Sequence, residues 1–417
     1  VLSHWSGLHF RGDCLMVKHV DAIIVGAGWA GSIMAKELTE AGLSVVMLER
    51  GGERTTPVEG AYPESIDELR GAIRKRLFQN LSQSTLTIRN TMDQTALPYR
   101  QLAAFLPGEG VGGAGLHWSG VHFRVAPEDL RLRSAIIERY GEKFIPEGMN
   151  LQDYGVSYDE LEPFFDKAEK VFGTSGEAYK VQGKIVGDGN VFSPDRSDNF
   201  PLPAMEDTFS ASVFRDAAKN AGYHPYSLPA ANASRQYTNT YGCQMGPCNF
   251  CGYCSGYDCY LYSKASPNVN ILPVLRQDPR FSLIPNAHVL RVDLDSTKTK
   301  ATGVTYLDTK TRKETSLSAD LVILGAFQFH NVHLMLMSGI GKPYDPISNT
   351  GTVGRNFVYQ TITSSRVWLP PSTYTNQFVG AGGAGVAIDD FNSMNFDHGP
   401  LGFVGGSPVW VNQAGVK

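Results

Sequence analysis

A chain of 417 residues is longer than one hydrophobic core ordinarily serves, and 42% hydrophobic against 19% charged residues places it among folded globular proteins of at least two lobes. A net charge of −4 offers no basic face for nucleic acid, and no apolar run reaches the length of a membrane span; the best, 22–34, is broken by Gly26, Gly28 and Gly31. The 44 glycines gather in clusters, the pattern of backbone brought close to phosphate more than of general flexibility.

Residues 1–16 read as an atypical leader. Within it, His4-Trp5-Ser6-Gly7-Leu8-His9-Phe10-Arg11 repeats the later run from His117 to Arg124 with one change, Leu8 for Val121. His4, Arg11 and Asp13 interrupt what a signal peptide would need as an apolar core, and Met16 reads as a natural start. A strand is then expected over 20–25, a helix over 29–39 closed by Gly42, and a second strand over 43–48, which together make a βαβ unit. Residues 55–96 read as mixed helix and loop, 107–120 as a glycine-rich loop, 158–172 as an amphipathic helix, 181–203 as irregular and 210–222 as a further helix. After a cysteine-rich segment, 282–295 and 301–308 read as paired strands, 319–324 as an apolar strand and 329–338 as a helix ending at Gly339. From Val353 onward the pattern is short strands and turns.

Gly26-Ala27-Gly28-Trp29-Ala30-Gly31 fits G-x-G-x-x-G between a strand and a helix, with Glu49 closing the next strand. In that context Gly26 makes the tight turn, Gly28 admits a pyrophosphate, Gly31 lets the helix pack on the sheet, and Glu49 accepts ribose hydroxyls. A second glycine run, Gly108, Gly110, Gly112, Gly113 and Gly115, ends in His117 and Trp118 and forms a candidate nest for anionic oxygens. A third, from Gly380 to Gly385, follows no buried strand and precedes Asp389-Asp390, so it reads as a loop or bulged strand without ligand.

Five of the six cysteines fall between Cys243 and Cys259, which points to metal more than to a disulfide scaffold. Cys248, Cys251, Cys254 and Cys259 lie on one continuous segment. That spacing suits an iron–sulfur run, whereas structural zinc more often takes two knuckles far apart. Cysteines without metal remain the plain alternative. Tyr241, Tyr253, Tyr257 and Tyr260 interleave with them and read as shielding the segment from water.

These residues resemble the glucose–methanol–choline (GMC) flavoenzymes. The resemblance rests on the first fingerprint, Gly110-Val111-Gly112-Gly113 with His117-Trp118, Ser338-Gly339-Ile340-Gly341, and Val353-Gly354-Arg355-Asn356. The run from Tyr262 to Pro267 and the stretch Gly341-Lys342-Pro343-Tyr344-Asp345-Pro346 narrow it to the large flavoprotein subunits of membrane-bound sugar and sugar-acid dehydrogenases, the gluconate 2-dehydrogenase and fructose dehydrogenase group. The match runs from about Val17 to the end. It implies FAD held by Gly26, Ala27, Gly28, Gly31, Glu49, Arg50, Gly110, Gly112, Gly113, His117, Trp118, Val289, Gly354 and Asn356. His117 is implied either as a covalent flavin link or as a hydrogen-bonding neighbour of the ring. A three-iron (3Fe-4S) cluster needs three thiolates, with Cys248, Cys254 and Cys259 favoured among the four.

The activity implied is oxidation of an alcohol carbon of a sugar, sugar acid or polyol by hydride transfer to flavin. Electrons are then expected to leave through the cluster to a multihaem cytochrome c subunit. A small subunit is also implied, at the periplasmic face of the bacterial inner membrane, with attachment through the partners. The family's catalytic histidine, paired with a second histidine or an asparagine, belongs to a C-terminal segment not found here, and His330, His333 and His398 lie outside that motif, so no base is assigned. The expected fold is α/β. A Rossmann-like FAD domain occupies 17–130 and 265–360, and a helical and irregular insertion with the cysteines occupies 131–264. A substrate-binding α+β domain with a mixed sheet begins at 361–417 and is cut short. Two other readings are an inactive flavin-binding fragment and an oxygen-using oxidase of the same family.

Overall fold

The computed structural model describes residues 19–60, 77–81, 87–88, 94–98, 106–359, 362–376 and 378–412. The duplicated leader and most of 55–96 lie outside these.

The opening βαβ unit forms as the apolar pattern dictates: β1 (His19–Val25), α1 (Trp29–Glu40) and β2 (Val45–Leu48). They sit in a six-stranded sheet, ordered Phe281–Ile284, β2, β1, Glu314–Leu324, Ala301–Asp308, Ala287–Leu294. The first four strands pair in parallel and the last three form an antiparallel meander. Both faces of the central pair β1 and β2 are covered, so residues 22–25 and Val45–Leu48 are apolar and buried throughout. Ala22, Ile24, Val45 and Met47 face α1 and the segment 265–281, while Ile23, Val25, Val46 and Leu48 face the meander.

Glu314–Leu324 serves both halves of the sheet. Its first half pairs antiparallel with 303–307, and from Ser318 onward it pairs in parallel with β1. The strand therefore begins earlier than the 319 expected from hydrophobicity. Glu314–Ser318 is largely polar because it belongs to the meander rather than to the doubly covered sheet.

The single strand expected over 282–295 is two. Phe281–Ile284 pairs with β2 at one edge, and Ala287–Leu294 pairs with 301–308 at the other. Pro285 supplies no N–H and Asn286 adopts a left-handed φ of 60°, so the ladder cannot continue through them. The break folds the chain back over the end of β2, where Asn286 N–H donates to Gly51 O and Ala287 N–H to Glu49 O.

The second lobe is built around the helix Tyr158–Phe172. A capping box starts it, with Ser157 Oγ accepting from Glu160 N–H and Glu160 accepting from Ser157 N–H, and Gly173 at φ 62° ends it. Glu169 is 2% exposed and accepts bidentately from Arg124 at 2.8 Å and from Arg196. Arg124 also donates to Glu162 and Tyr158. Beside this network His122 stacks on Phe172 and shares a hydrogen bond with Thr174 Oγ1 at 2.8 Å. Burial pushes its imidazole down to about 4, so it is neutral.

A three-stranded antiparallel sheet joins Tyr226–Ser227 to Gly385–Ile388 and Val409–Asn412. Residues expected in the insertion and in the last domain therefore share one sheet. Among the described residues no helix is long and apolar enough to cross a membrane.

Candidate functional site

The crevice lies at the C-terminal ends of β1, β2 and Glu314–Leu324, where an open α/β sheet receives its ligands. Gly26 has φ 103°, and a Cβ on it would stand 2.6 Å from Gly325 O, so neither backbone angle nor neighbour admits another residue. A Cβ on Gly31 would stand 2.0 Å from Gly26 O. Gly28, between them, has nothing within 4 Å of a Cβ and an ordinary φ of −84°. The middle glycine is thus not demanded by the protein's own packing. It keeps clear the space in front of the first N–H groups of α1, which lack partners within the helix and point at an incoming anion.

Glu49 ties three stretches of backbone together. Its Oε2 accepts from Ala27 N–H at 3.0 Å, and Oε1 from Gly51 N–H at 2.8 Å and Gly110 N–H at 3.3 Å. One carboxylate thus holds the fingerprint, its own strand end and the second glycine loop together, and a carboxylate's lone pairs leave capacity for hydroxyls. That loop is pinned further by Gly112 N–H to Ala27 O at 2.8 Å and Val111 N–H to Gly52 O at 3.1 Å, and a Cβ on Gly113 would lie 3.2 Å from Gly28 Cα. The sequence-expected residues Gly26, Ala27, Gly28, Gly31, Glu49, Gly110, Gly112 and Gly113 therefore form one cradle.

Arg50 follows Glu49 and lies within electrostatic reach of His288 and His330. Burial, reinforced by Arg50, pushes His330 down to about 4. Val289 is buried on the strand that starts where Ala287 bonds Glu49 O. Gly354 has φ 91°, and a Cβ on it would lie 3.5 Å from Val332 Cγ1 of the helix Gln328–Met337; Asn356 accepts from Asn150 at 2.6 Å. Gly354 is thus beside that helix, which follows the turn at Gly325, while the Asn356 side chain engages Asn150. Asn331 holds the same turn, donating to Leu324 O and accepting from Ala326 N–H, and Asn268, beside Gly112, donates to Arg54 O. Neither asparagine stood out in the sequence, because each acts on backbone through folding and carries no motif.

His117 and Trp118 end the second loop after a single 3₁₀ turn, Gly113–Leu116. His117 is buried edge-on against Phe78 at 4.6 Å. Trp118 meets Trp29 edge to face at 6.0 Å, and its indole N–H donates to Ala265 O at 2.7 Å. His398, fully buried, bonds Phe403 O through Nδ1 and is ringed by Tyr140, Phe396 and Phe403.

The cysteine segment meets His117 through Gly256 N–H, which donates to His117 O at 2.7 Å. Cys248, Cys251, Cys254 and Cys259 lie within electrostatic reach of one another, yet among the described residues no three or more His, Cys, Asp or Glu side chains form a group able to hold a metal ion. The expectation of a ready iron–sulfur ligand set is corrected to that extent. The sulfurs are turned to separate donors: Cys248 Sγ accepts from Phe250 N–H at 3.4 Å and Cys254 Sγ from Asn232 at 3.5 Å. Burial raises the Cys248 thiol to about 12 and also raises Cys254 and Cys259. The third glycine run packs here. Gly380 N–H donates to Phe250 O at 2.9 Å, Gly252 N–H donates to Gly380 O at 2.7 Å, and a Cβ on Gly382 would lie 2.7 Å from Cys254 Cβ.

A family model described as GMC oxidoreductase matches residues 148–362, and one described as FAD binding domain matches 19–65. The chain is 68% identical over 414 residues to the gluconate 2-dehydrogenase flavoprotein of Pantoea cypripedii, covering 98% of this chain and 67% of that protein. It belongs to the GMC oxidoreductases. Within this family of flavoenzymes it is also 25% identical to the fructose dehydrogenase large subunit of Gluconobacter japonicus, over 81% of this chain and 58% of that one. Among solved structures, pyridoxine 4-oxidase from Mesorbium loti is similar at 18% identity and a TM-score of 0.43, over 77% of this chain and 52% of that chain. The chain thus spans about half to two thirds of the length of the relatives it matches. The cradle at Gly28 is where a GMC protein's FAD fits, on the chemistry of its free N–H groups and the open space before them.

Proposed function

We propose that this chain is the FAD-binding part of a dehydrogenase that oxidises an alcohol carbon of a sugar acid, with gluconate the first substrate to test. The observation that carries the reading is the 68% identity to a gluconate 2-dehydrogenase flavoprotein across nearly the whole chain. It is supported by a dinucleotide cradle whose middle glycine serves no packing need. Bound FAD would supply the hydride acceptor. The protein's own contribution would be to orient it: the α1 N-terminus would receive the pyrophosphate, Glu49, which fixes the loops on either side, would meet the ribose, and buried His117 with partly buried Trp118 would border the ring. Purified full-length protein should carry FAD, and gluconate should bleach the flavin band without oxygen. A flavin that fructose or a polyol reduces but gluconate does not would overturn the substrate class.

Three finer readings go with it. A histidine-linked flavin at His117 is supported by its buried place at the end of the glycine loop. Flavin that stays on the protein after acid denaturation, and is released in His117→Ala, would establish it, whereas flavin that washes away entirely from loaded wild type would exclude it. A 3Fe-4S cluster on the cysteine segment is supported by the spacing and by N–H donors directed at the sulfurs, but it requires three sulfurs to converge from their present positions. Iron and acid-labile sulfide in anaerobically purified protein test it, and stoichiometric zinc without iron would sink it. A small subunit is supported by a relative being named a large subunit, and a cytochrome partner at the periplasmic face of the inner membrane goes with the family resemblance alone. Co-purification with a haem protein from the native membrane tests that association.

A further inference from the structure

Lys264 is fully buried, and its ammonium is caged by main-chain oxygens. Nζ donates to Leu116 O at 3.0 Å, Trp118 O at 2.8 Å, Cys254 O at 2.7 Å and Tyr257 O at 2.6 Å. Two of these carbonyls flank His117 on the flavin-side loop, and the other two belong to the cysteine segment. The carbonyl between the first two, His117 O, accepts from Gly256 N–H at 2.7 Å. Three consecutive carbonyls of the loop, 116, 117 and 118, are thus all held by the cysteine segment or by the lysine that follows it. The next residue joins in from the other direction, since Ala265 O receives the Trp118 indole and Ala265 N–H donates to Ala231 O at 2.8 Å.

Burial works against a charge on Lys264, but an amine has two hydrogens to give and an ammonium three, so four acceptors at these distances call for the charged form with one hydrogen shared. Charge-assisted bonds of this kind are directional and strong. A buried charge is an expensive way merely to fill space, because an apolar side chain of the same volume serves packing as well or better. What the ammonium adds is fixed orientation of four carbonyls drawn from two segments, which the Gly256 N–H bond to His117 O also joins.

We infer that Lys264 is a positioning residue that locks the flavin-side turn Leu116–Trp118 onto the cysteine segment, so that occupancy of the cradle is transmitted to residues 251–259. The inference rests on the FAD reading above.

Hydrogen exchange resolved by peptide tests it on full-length protein prepared with and without FAD. In the wild type, FAD should slow exchange at least tenfold both in 110–120 and in 251–259. In Lys264→Met the slowing should persist in 110–120 and vanish from 251–259. Lys264→Gln, which keeps two N–H donors without the charge, should fall between, and it carries the comparison if the Met variant does not fold. The proposal is overturned if Lys264→Met or Lys264→Gln retains the full FAD-linked slowing in 251–259. It is equally overturned if wild-type slowing stops at 120, an arm that needs no variant. Wild-type protein that takes up no FAD would instead defeat the reading on which the inference rests.

Discussion

Two neighbouring glycines of the fingerprint should respond in opposite ways to the same added methyl group. At Gly28 the backbone has φ −84° and a Cβ would have no atom within 4 Å, so Gly28→Ala should leave the FAD-free fold unharmed or stabilise it by about 0.4–1 kcal/mol through the unfolded chain. The methyl would instead stand in front of the α1 N-terminus. Losing one charge-assisted contact to the pyrophosphate costs about 1.5–3 kcal/mol, or roughly a 10- to 150-fold rise in Kd. At Gly31 the Cβ would lie 2.0 Å from Gly26 O and 3.2 Å from Ile24 Cγ2. Gly26 cannot retreat, because it is itself pressed against the Gly325 turn. Gly31→Ala should therefore destabilise the fold by about 1–3 kcal/mol before any ligand is added. Urea denaturation of FAD-free protein and titration with FAD separate the two effects. If Gly28→Ala unfolds as readily as Gly31→Ala, or binds FAD as wild type does, the assignment of Gly28 to the ligand and Gly31 to the fold is wrong.

Other substitutions follow the same logic. Glu49→Gln turns an amide N–H₂ toward backbone donors that now meet carboxylate oxygens, so it should cost the FAD-free protein about 1–3 kcal/mol in chemical denaturation as well as weakening FAD; an effect on FAD alone would mean that the loop contacts contribute nothing. Glu169→Ala leaves Arg124 and Arg196 buried without their shared carboxylate and should lose about 3–5 kcal/mol, read as a fall in the urea midpoint. His122 gains its proton at about 4 when folded and near 6.5 when unfolded, so the unfolded chain binds more protons between those values and acidification favours unfolding. Stability should fall about 3 kcal/mol further between pH 7 and pH 4 in wild type than in His122→Gln, and parallel pH profiles would refute this.

How much of this was legible beforehand depends on where the signal is stored. The βαβ unit and its glycines were legible because periodicity and φ requirements are local properties of the chain. So was the helix 158–172, announced by its amphipathic pattern. The break at Pro285-Asn286 was also written in local residues, but the apolar alternation on either side masked it. Glu314–Ser318 was missed because a strand covered by the meander on one face alone need not be hydrophobic. Lys264 was invisible for a different reason: a lysine in a sequence reads as solvated, and only the convergence of four carbonyls from residues 116–118 and 254–257 makes its burial possible. The cysteine spacing suggested a ligand set, while the fold turns the sulfurs toward separate donors. Spacing along a chain does not fix the directions in which side chains point.

The strand shared by the two halves of the sheet also bears on biosynthesis. His19 on β1 meets Ser318 across a separation of 299 residues. At about 5–20 residues per second, a ribosome needs roughly 15–60 s to deliver the partner after the first strand has emerged. Throughout that interval β1 and β2 can pair with each other, but the faces destined for the meander, Ile23, Val25, Val46 and Leu48, have nothing to cover them. The nascent dinucleotide fold is thus a client for chaperones well before it is a receptor for its cofactor.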